Sequence, residues 1–520
     1  MWLNALLNSS LIYGLVVAMV LPLATLVAVV MMRTHLPGRR IMAMLLVAAM
    51  AIPVYVQAGA WNSMFGQFGW WTLTQVGAAQ NGWGGPLAIV VIQSAYTFPW
   101  VVVCLCCGLT RIDRQAEEAA WMDVGIRRTL LGVTLPLLIP YILCGMLIVL
   151  VLLSTDMTVT NLYRFETVTE RFYQQASAGE LELIAWWMPL IFGLTFFTMI
   201  AMFYGVARFG LRIPGWNQRK NAGWTSQGIR FTLRSKPLIF WSSVAWGVIA
   251  FWVVLPTLNL VWNAGWSMSS PTGSVGNQGY WSLSHFVLTL GRTPVEFRAE
   301  FGWSLYLGLC SATVWLGLAI VISYFSNRAS WLTRCGWVLL GMLIFVPGPW
   351  AGLLAIGFWN RSSPAWCGWM YDHTLIAPIT ALGARMFPLS MLGVALIRSR
   401  IPSSSWEMAR IDGVSVNRLL TSWYLRNQRS LVGVWLILVL LSVADLSSVL
   451  LVLPPGVTPI SARIFELLHY GVRYQESGIC LLLGLFSLFG ATAVLCLTFL
   501  PREFRQILGQ DSRKPIESRR

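Results

Sequence analysis

Residues 11–32 read LIYGLVVAMVLPLATLVAVVMM, a stretch without a charged side chain that is followed directly by Arg33. A helix rises about 1.5 Å per residue, so a run of this length crosses the roughly 30 Å hydrocarbon core of a bilayer. The residues before it carry no positive charge, and it is longer than the apolar part of a signal peptide. We therefore expect residues 11–32 to stay in the protein as a membrane anchor.

Similar apolar runs recur along the chain of 520 residues, of which 57% are hydrophobic and 11% charged. A soluble domain carries about 25% charged residues and a disordered chain lacks apolar runs, so both classes are excluded. Helices satisfy their own backbone hydrogen bonds in lipid, and the runs predict an all-α membrane protein. We expect about eleven transmembrane helices, at residues 11–32, 41–60, 86–110, 136–157, 183–207, 237–262, 301–325, 336–358, 374–397, 431–452 and 478–500.

Basic residues are concentrated in alternate loops between these runs. One set of loops, which includes residues 208–236, residues 398–429 and the tail from Arg502, holds 28 of the 36 Lys and Arg residues. The positive-inside rule places this set in the cytoplasm, which leaves the N-terminus outside and the C-terminus cytoplasmic. The net charge of +16 then reflects topology, and its expected partners are membrane lipids, with no nucleic acid.

The chain also matches itself when it is shifted by 289 residues. Polar and proline matches at one register are harder to obtain by chance than leucine matches, and they pair Phe98 with Phe387, Pro99 with Pro388, Arg111 with Arg400, Glu118 with Glu407, Ala120 with Ala409, Asp123 with Asp412 and Asp156 with Asp445. We infer two parallel five-helix repeats joined by an extra span. The predicted units are the first repeat (1–212), a cytoplasmic linker (213–236), the extra span with an external loop (237–300), the second repeat (301–500) and a basic cytoplasmic tail (501–520).

Two of the aligned loops, residues 111–135 and 398–429, carry a common pattern on the predicted cytoplasmic side. Small residues beside a carboxylate suit a short helix that lies close to a partner, and a glycine ends such a helix. The first loop ends in Leu135-Pro136, and the second ends in Leu425-Arg426. The residues that form the pattern are Glu118, Ala119, Ala120, Asp123 and Gly125 in the first loop and Glu407, Ala409, Asp412 and Gly413 in the second.

This pattern resembles the EAA loop of ABC importer permeases, in which the loop helix inserts into a groove of an ATPase. Weaker similarities, at Pro53-Val54-Tyr55 and at Pro454-Pro455-Gly456, favour the fused permeases of the ferric-iron and thiamine type. The resemblance implies two copies of an ABC ATPase subunit, a periplasmic solute-binding protein and a bacterial inner membrane. Whether both loops couple equally, and which solute is carried, stay open.

The chain itself lacks the machinery to bind ATP. Lys occurs only at 220, 236 and 514, and none of them follows the glycines of a GxxxxGK[ST] loop. We therefore expect a transport subunit without enzymatic activity, cofactor or metal. The alternatives are a secondary transporter driven by an ion gradient, or a membrane scaffold that has lost coupling at its second loop.

Three charged residues fall within or near the ends of the predicted spans. Arg385 lies in mid-span, where an unpaired Arg costs about 2.5 to 3.5 kcal/mol, so we expect it to face a cavity or a carboxylate. Asp156 and Asp445 lie near the outer ends of their spans. All three are candidates for lining the transport pathway; the alternative is that they cap helices or pair with one another.

Overall fold

The structure, a computed structural model, describes residues 2–65, 85–112, 114–179, 235–267, 280–325, 331–361, 363–470 and 473–509. Within these residues, seven helices are long and apolar enough to cross a membrane, and three bent pairs raise the number to ten if each pair is one crossing. The chain is therefore an all-α, multi-pass membrane protein. The expected total of eleven is not confirmed, and the fifth predicted span (183–207) lies outside the described residues, as does most of the linker.

The helices of the first part and of the extra span are α1 (Trp2–Arg33), α2 (Arg39–Met50), α3 (Val54–Phe65), α4 (Gly85–Leu109), α5 (Arg114–Thr129), α6 (Leu135–Thr155), α7 (Thr158–Leu162), α8 (Val168–Ala178), α9 (Ser235–Ile249) and α10 (Leu255–Ala264). Two π-helical turns, Leu130–Thr134 and Ala250–Val254, join α5 to α6 and α9 to α10. A short antiparallel pair of strands, β1 (Trp266–Ser267) and β2 (Tyr280–Trp281), follows α10.

The helices that follow are α11 (Leu283–Glu296), α12 (Arg298–Phe325), α13 (Trp331–Ile344), α14 (Gly348–Trp359), α15 (Ala365–His373), α16 (Ile376–Arg398), α17 (Ser403–Ile411), α18 (Val416–Arg426), α19 (Gln428–Ala444), α20 (Ile460–Tyr470) and α21 (Arg473–Gly509). The predicted span 431–452 ends earlier than expected, because α19 stops at Ala444 and Asp445 is extended. Its bent partner is α18, which meets α19 at 73°.

The second and eighth predicted spans are broken helices rather than continuous ones. α2 and α3 meet at 105°, and α13 and α14 meet at 116°. A proline precedes the second helix of each pair, Pro53 before α3 and Pro347 before α14, and each proline carbonyl accepts the first backbone hydrogen bonds of that helix. Proline lacks an N–H and disfavours helical geometry in the residue before it, which accounts for a break at both places.

The helices of the first part of the chain (α1–α8) and those of the second part (α12–α21) pack in the same way. α1, α4 and α6 contact one another, and so do α12, α16 and α19. In each part, a later short helix packs on the first helix of the group: α8 packs on α1, and α20 packs on α12. The parts also exchange contacts, because α8 packs on α14 and α20 packs on α3. Buried apolar side chains of α3 and α20 share one core cluster, which therefore crosses between the two parts.

Candidate functional site

The first of the two patterned loops bends at Gly125. Glu118, Ala119 and Ala120 lie on α5 before the bend. Gly125 has φ 78° and ψ 170°, a conformation that is essentially restricted to glycine, and there is open space where a Cβ would be. Pro136 is the second residue of α6 and follows directly on the π-helical turn Leu130–Thr134.

A buried ion pair holds the base of this loop. Arg33 Nε donates to Glu117 Oε1 at 3.0 Å, and the two side chains are 1% and 0% exposed. Thr134 Oγ1 donates to the same carboxylate oxygen at 2.8 Å, and Arg33 Nη2 donates to the Leu109 carbonyl at 2.7 Å. These contacts connect α5 to the ends of α1 and α4 and to the start of α6.

Sequence reasoning missed Glu117 and selected its neighbour Glu118, which aligns with Glu407. Glu118 is 38% exposed and pairs with the exposed Arg114 one turn earlier on α5. The available signal was the position of Arg33, at the end of a span on the same predicted membrane face as the loop. That position marks Arg33 as a charge near the membrane, but which carboxylate it meets depends on how α1, α4 and α5 pack.

The second loop bends at Gly413, whose φ is 66°. Glu407 is exposed and Ala409 half-buried on α17, and the exposed Asp412 follows the end of that helix. α18 begins after Ser415, whose hydroxyl accepts a backbone N–H of the first turn at 3.4 Å. The pattern in this loop is therefore divided between a short helix and a turn, whereas in the first loop it lies within one helix and its bend.

Aromatic side chains, neutral hydrogen bonds and the guanidinium of Arg398 hold the base of the second loop. Tyr424 OH and Ser323 Oγ are 2.9 Å apart, and Trp423 Nε1 donates to a carbonyl near the end of α16 at 3.1 Å. Arg398 Nη1 donates to the Ser323 carbonyl at 2.8 Å, and its guanidinium carbon lies 6.0 Å from the ring centre of Trp406. No buried carboxylate takes part in these contacts.

The tips of the two loops are alike although their bases differ. Met122 and Ile411, which align at the 289-residue shift, are 78% and 83% exposed. Each is followed by an exposed aspartate, Asp123 or Asp412, and each lies within three residues of the glycine bend. Both tips thus present an apolar side chain beside a carboxylate at the same place in the pattern.

The intramembrane residue Arg385 lies where the two parts of the chain meet. Its Nη1 donates to Asp445 Oδ2 at 2.9 Å, and its Nη2 donates to Ser447 Oγ at 3.0 Å. Nη2 also donates to the Thr155 carbonyl at 2.6 Å, at the end of α6 in the first part. Ser447 Oγ reaches the same Thr155 carbonyl at 3.0 Å. The guanidinium of Arg385 therefore connects α16 to the end of α6 and to the segment that follows α19.

Asp156 and Asp445 each cap a turn in their own part of the chain. Asp156 Oδ1 accepts the Thr158 backbone N–H at 3.0 Å, at the start of α7. Asp445 Oδ1 accepts the Ser448 backbone N–H at 3.1 Å. A carboxylate that satisfies N–H groups at the start of a turn acts as a cap. Asp445 additionally pairs with Arg385, whereas the residue that aligns with Arg385 in the first part is Tyr96.

Close packing surrounds this junction. A Cβ on Gly348, the first residue of α14, would collide with the side chain and backbone of Ser447. A small cavity beside Asp445 is lined by Ser304, Ser442 and Ser461 among others. Around Gly348 and Asp445, the described side chains of the junction are therefore closely packed.

A polar network joins the two parts at α7, α8 and α20. Asn161 Nδ2 donates to Glu170 Oε1 at 2.8 Å, and Gln174 Nε2 donates to the same oxygen at 3.0 Å. His469 Nε2 lies 3.1 Å from Asn161 Oδ1. Burial raises the pKa of the Glu170 carboxyl, and the hydrogen bonds from Asn161 and Gln174 oppose that rise.

No cluster of three or more His, Cys, Asp or Glu side chains able to hold a metal is found among the described residues. The eight cysteines whose side chains are described are free thiols. Comparisons with family models, with curated proteins and with solved structures found no match to this chain. Its function therefore has to be argued from the arrangement of its own residues.

Proposed function

We propose that this chain is the fused membrane subunit of an ATP-driven importer. The observation that carries the proposal is the pair of loops, whose tips repeat in register across two similarly packed parts of one membrane protein. A duplicated tip is expected where two identical soluble subunits bind one chain. Two copies of an ABC ATPase, one at each loop, fit this requirement, and the chain has no P-loop of its own.

The loops have the chemistry of a docking surface. Met122 and Ile411 offer exposed apolar area, and the aspartates beside them offer a charge that gives orientation. The bends at Gly125 and Gly413 turn the chain back toward the membrane after each tip. Movement of a docked subunit would then reach α6 directly and α19 through α18.

In this proposal, Arg385 belongs to the closed contact between the two halves. It spans from Asp445 in one half to the Thr155 carbonyl in the other, so halves that rock apart have to exchange these bonds for water or solute. Asp156, Asp445 and Arg385 are then the polar groups that such an opening exposes. The broken helices α3 and α14 lie beside the same junction, and irregular backbone at membrane depth is tolerated where it is buried or lines a cavity.

Iron(III), thiamine or a similar small solute, delivered by a periplasmic binding protein to a bacterial inner membrane, is the cargo that fits the resemblance of the loops. The sidedness that this scheme needs, with both loops and the C-terminus in the cytoplasm, rests on the distribution of Lys and Arg.

The test is co-purification of the tagged full chain from its native membrane. We expect a P-loop ATPase to accompany the wild type and to be lost when Met122→Asp and Ile411→Asp are combined, because buried charges oppose an apolar contact. Asn417→Asp, an exposed change on α18 away from the tip, is the matched control and should retain the ATPase. Purification of a wild-type chain that carries solute without any ATPase would overturn the proposal.

A second candidate is a transporter driven by an ion gradient. The observation in its favour is the cluster of Arg385, Asp445 and Asp156 between the two halves, since buried charges at such an interface are common in proton and ion pathways. Uptake by proteoliposomes that contain the chain alone, under an imposed proton or sodium gradient and without ATP, would select this candidate over the importer.

A further inference from the structure

Helix α11 connects two candidate membrane spans at one membrane face. α10 completes a span that ends at Ala264, and α12 begins the next at Arg298. Both ends of α11 therefore lie at the same face. The helix runs from Leu283 to Glu296, and at about 1.5 Å per residue its length of roughly 21 Å is too short to cross the membrane. It therefore stays at that face of the membrane.

The polarity of α11 is the reverse of that expected for a helix that faces water. Its exposed side includes an apolar arc of Leu283, Val287, Leu288 and Val295, which are 63%, 58%, 52% and 71% exposed, with the exposed Arg292 and Glu296 beside the arc. Its two buried residues are threonines, Thr289 at 8% exposed and Thr293 at 3% exposed, and Phe286 and Leu290 are partly buried. A water-facing helix places its leucines and valines inward and its threonines outward.

The inward side of α11 packs as helices pack within membranes. It rests on α21 at Gly478, where an added Cβ would lie 2.7 Å from Thr293 Oγ1 and 3.1 Å from Thr289 Cγ2. Thr293 Oγ1 donates to the Thr289 carbonyl at 2.6 Å and so needs no water partner. Small residues and self-satisfied threonines at a close contact are typical of helix packing in lipid.

The spans beside α11 also expose large apolar side chains. α11 packs against α10 and α21, both parts of candidate spans. Leu258 on α10 and Phe489 on α21 are 57% and 73% exposed. Tyr280 and Trp281, both partly exposed, precede the first turn of α11, as aromatic residues do at the membrane–water interface.

We propose that α11 is an interfacial membrane helix that buries its Leu283, Val287, Leu288 and Val295 arc among lipid acyl chains. It anchors the connection between the extra span and α12 and holds α21 at Gly478. Its partner is the lipid surface, because the arc itself holds apolar side chains and the exposed charges of the helix, Arg292 and Glu296, lie beside the arc, as in helices at a membrane surface.

The test places a photo-crosslinking amino acid at Val287, and separately at Val295, in the full chain reconstituted in phosphatidylcholine nanodiscs. We expect lipid adducts at both positions by mass spectrometry. Two controls calibrate the reading: the exposed Arg410 should give no lipid adduct, and the buried Thr289 should give only crosslinks within the chain.

Absence of lipid adducts at both arc positions, in variants that elute as the wild type does, would overturn the proposal. Crosslinks from both positions to a second protein chain instead of lipid would also overturn it, since the arc would then be a protein interface. The use of two positions on different turns protects the test from one that fails to fold.

Discussion

The two patterned loops have like tips and unlike bases. At the tips, Met122 and Ile411 are almost equally exposed at aligned positions. At the bases, the first loop depends on a carboxylate, Glu117, and the aligned residue of the second loop is Trp406, which lies against a guanidinium instead. A tip that contacts identical partners has to keep its chemistry in both copies. A base has only to suit the helices of its own half.

The two bases also differ in how strongly they resist a displacement of the loop. The Arg33 and Glu117 pair is fully buried and short, so a small shift of α5 strands two charges. The bonds of Tyr424 and Trp423 are neutral, and each is individually weak. We therefore expect the first loop to be the stiffer connection to its half, and the substitutions below test this ranking.

The largest effect is expected for Glu117→Gln. The change keeps the shape but leaves the Arg33 charge buried without its counter-charge, which costs about 3 kcal/mol or more in the free energy of unfolding. An unfolding titration in detergent micelles measures it. The same change at the exposed Glu407 should leave the titration midpoint almost unmoved.

The double variant Arg33→Met with Glu117→Met separates charge from packing. Replacing both members of a buried pair by apolar side chains is often close to neutral, so we expect the double variant to recover more than half of the loss. A double variant as unstable as Glu117→Gln would show that the site needs its hydrogen bonds to Thr134 and Leu109 more than charge balance.

The tips of the loops could be predicted from the sequence better than their bases, because the tips are a local pattern and the bases depend on packing between helices. Run lengths predicted an all-α, multi-pass membrane chain, and the shared register predicted the pattern at Glu118 and Glu407, because both are local properties of the sequence. The partner of Arg33 could not be predicted, since it depends on how α1, α4 and α5 pack. Arg385 likewise needed a carboxylate, but its bond to Thr155 arises only from the meeting of the two halves.

The broken spans could be predicted from the sequence only in part. Pro53 and Pro347 are visible in the sequence, and proline is a known cause of kinks. The 105° and 116° turns at these prolines are larger than a proline kink within one helix, and beyond them α3 and α14 each contact the opposite part of the chain. A run of apolar residues shows that a segment enters the membrane but not that it crosses without a break.

The next largest effect is expected at the glycine bends, and it again separates the loops. Gly125→Ala should cost about 2 kcal/mol, because its φ of 78° and ψ of 170° are essentially closed to residues with a Cβ. Gly413→Ala should cost about 1 kcal/mol, since a φ of 66° is in the left-handed region. Gly413→Asn, which tolerates that region, should be milder than Gly413→Ala. Equal losses for the two alanine variants would contradict the ranking.

A smaller effect is expected at the base of the second loop. Tyr424→Phe removes the hydroxyl that meets Ser323 Oγ and should lower the free energy of unfolding by about 1 kcal/mol. Tyr324→Phe is the matched control, since its bond to Thr421 is exposed and water replaces it. If Tyr424→Phe destabilised the chain as much as Glu117→Gln, the two bases would be equally stiff and the asymmetry would be wrong.

The smallest effect on stability is expected for Glu118→Gln, the change in the tip pattern itself. Glu118 and Arg114 form an exposed pair one helical turn apart, which contributes about 0.3 kcal/mol and weakens in salt. The unfolding measurement is most informative when ATPase co-purification is measured for the same variant. A variant that unfolds like the wild type but retains less ATPase would assign Glu118 to the partner and Glu117 to the fold. If unfolding and co-purification fell together, Glu118 would share the structural role of its neighbour, and tip and base would not be separate parts.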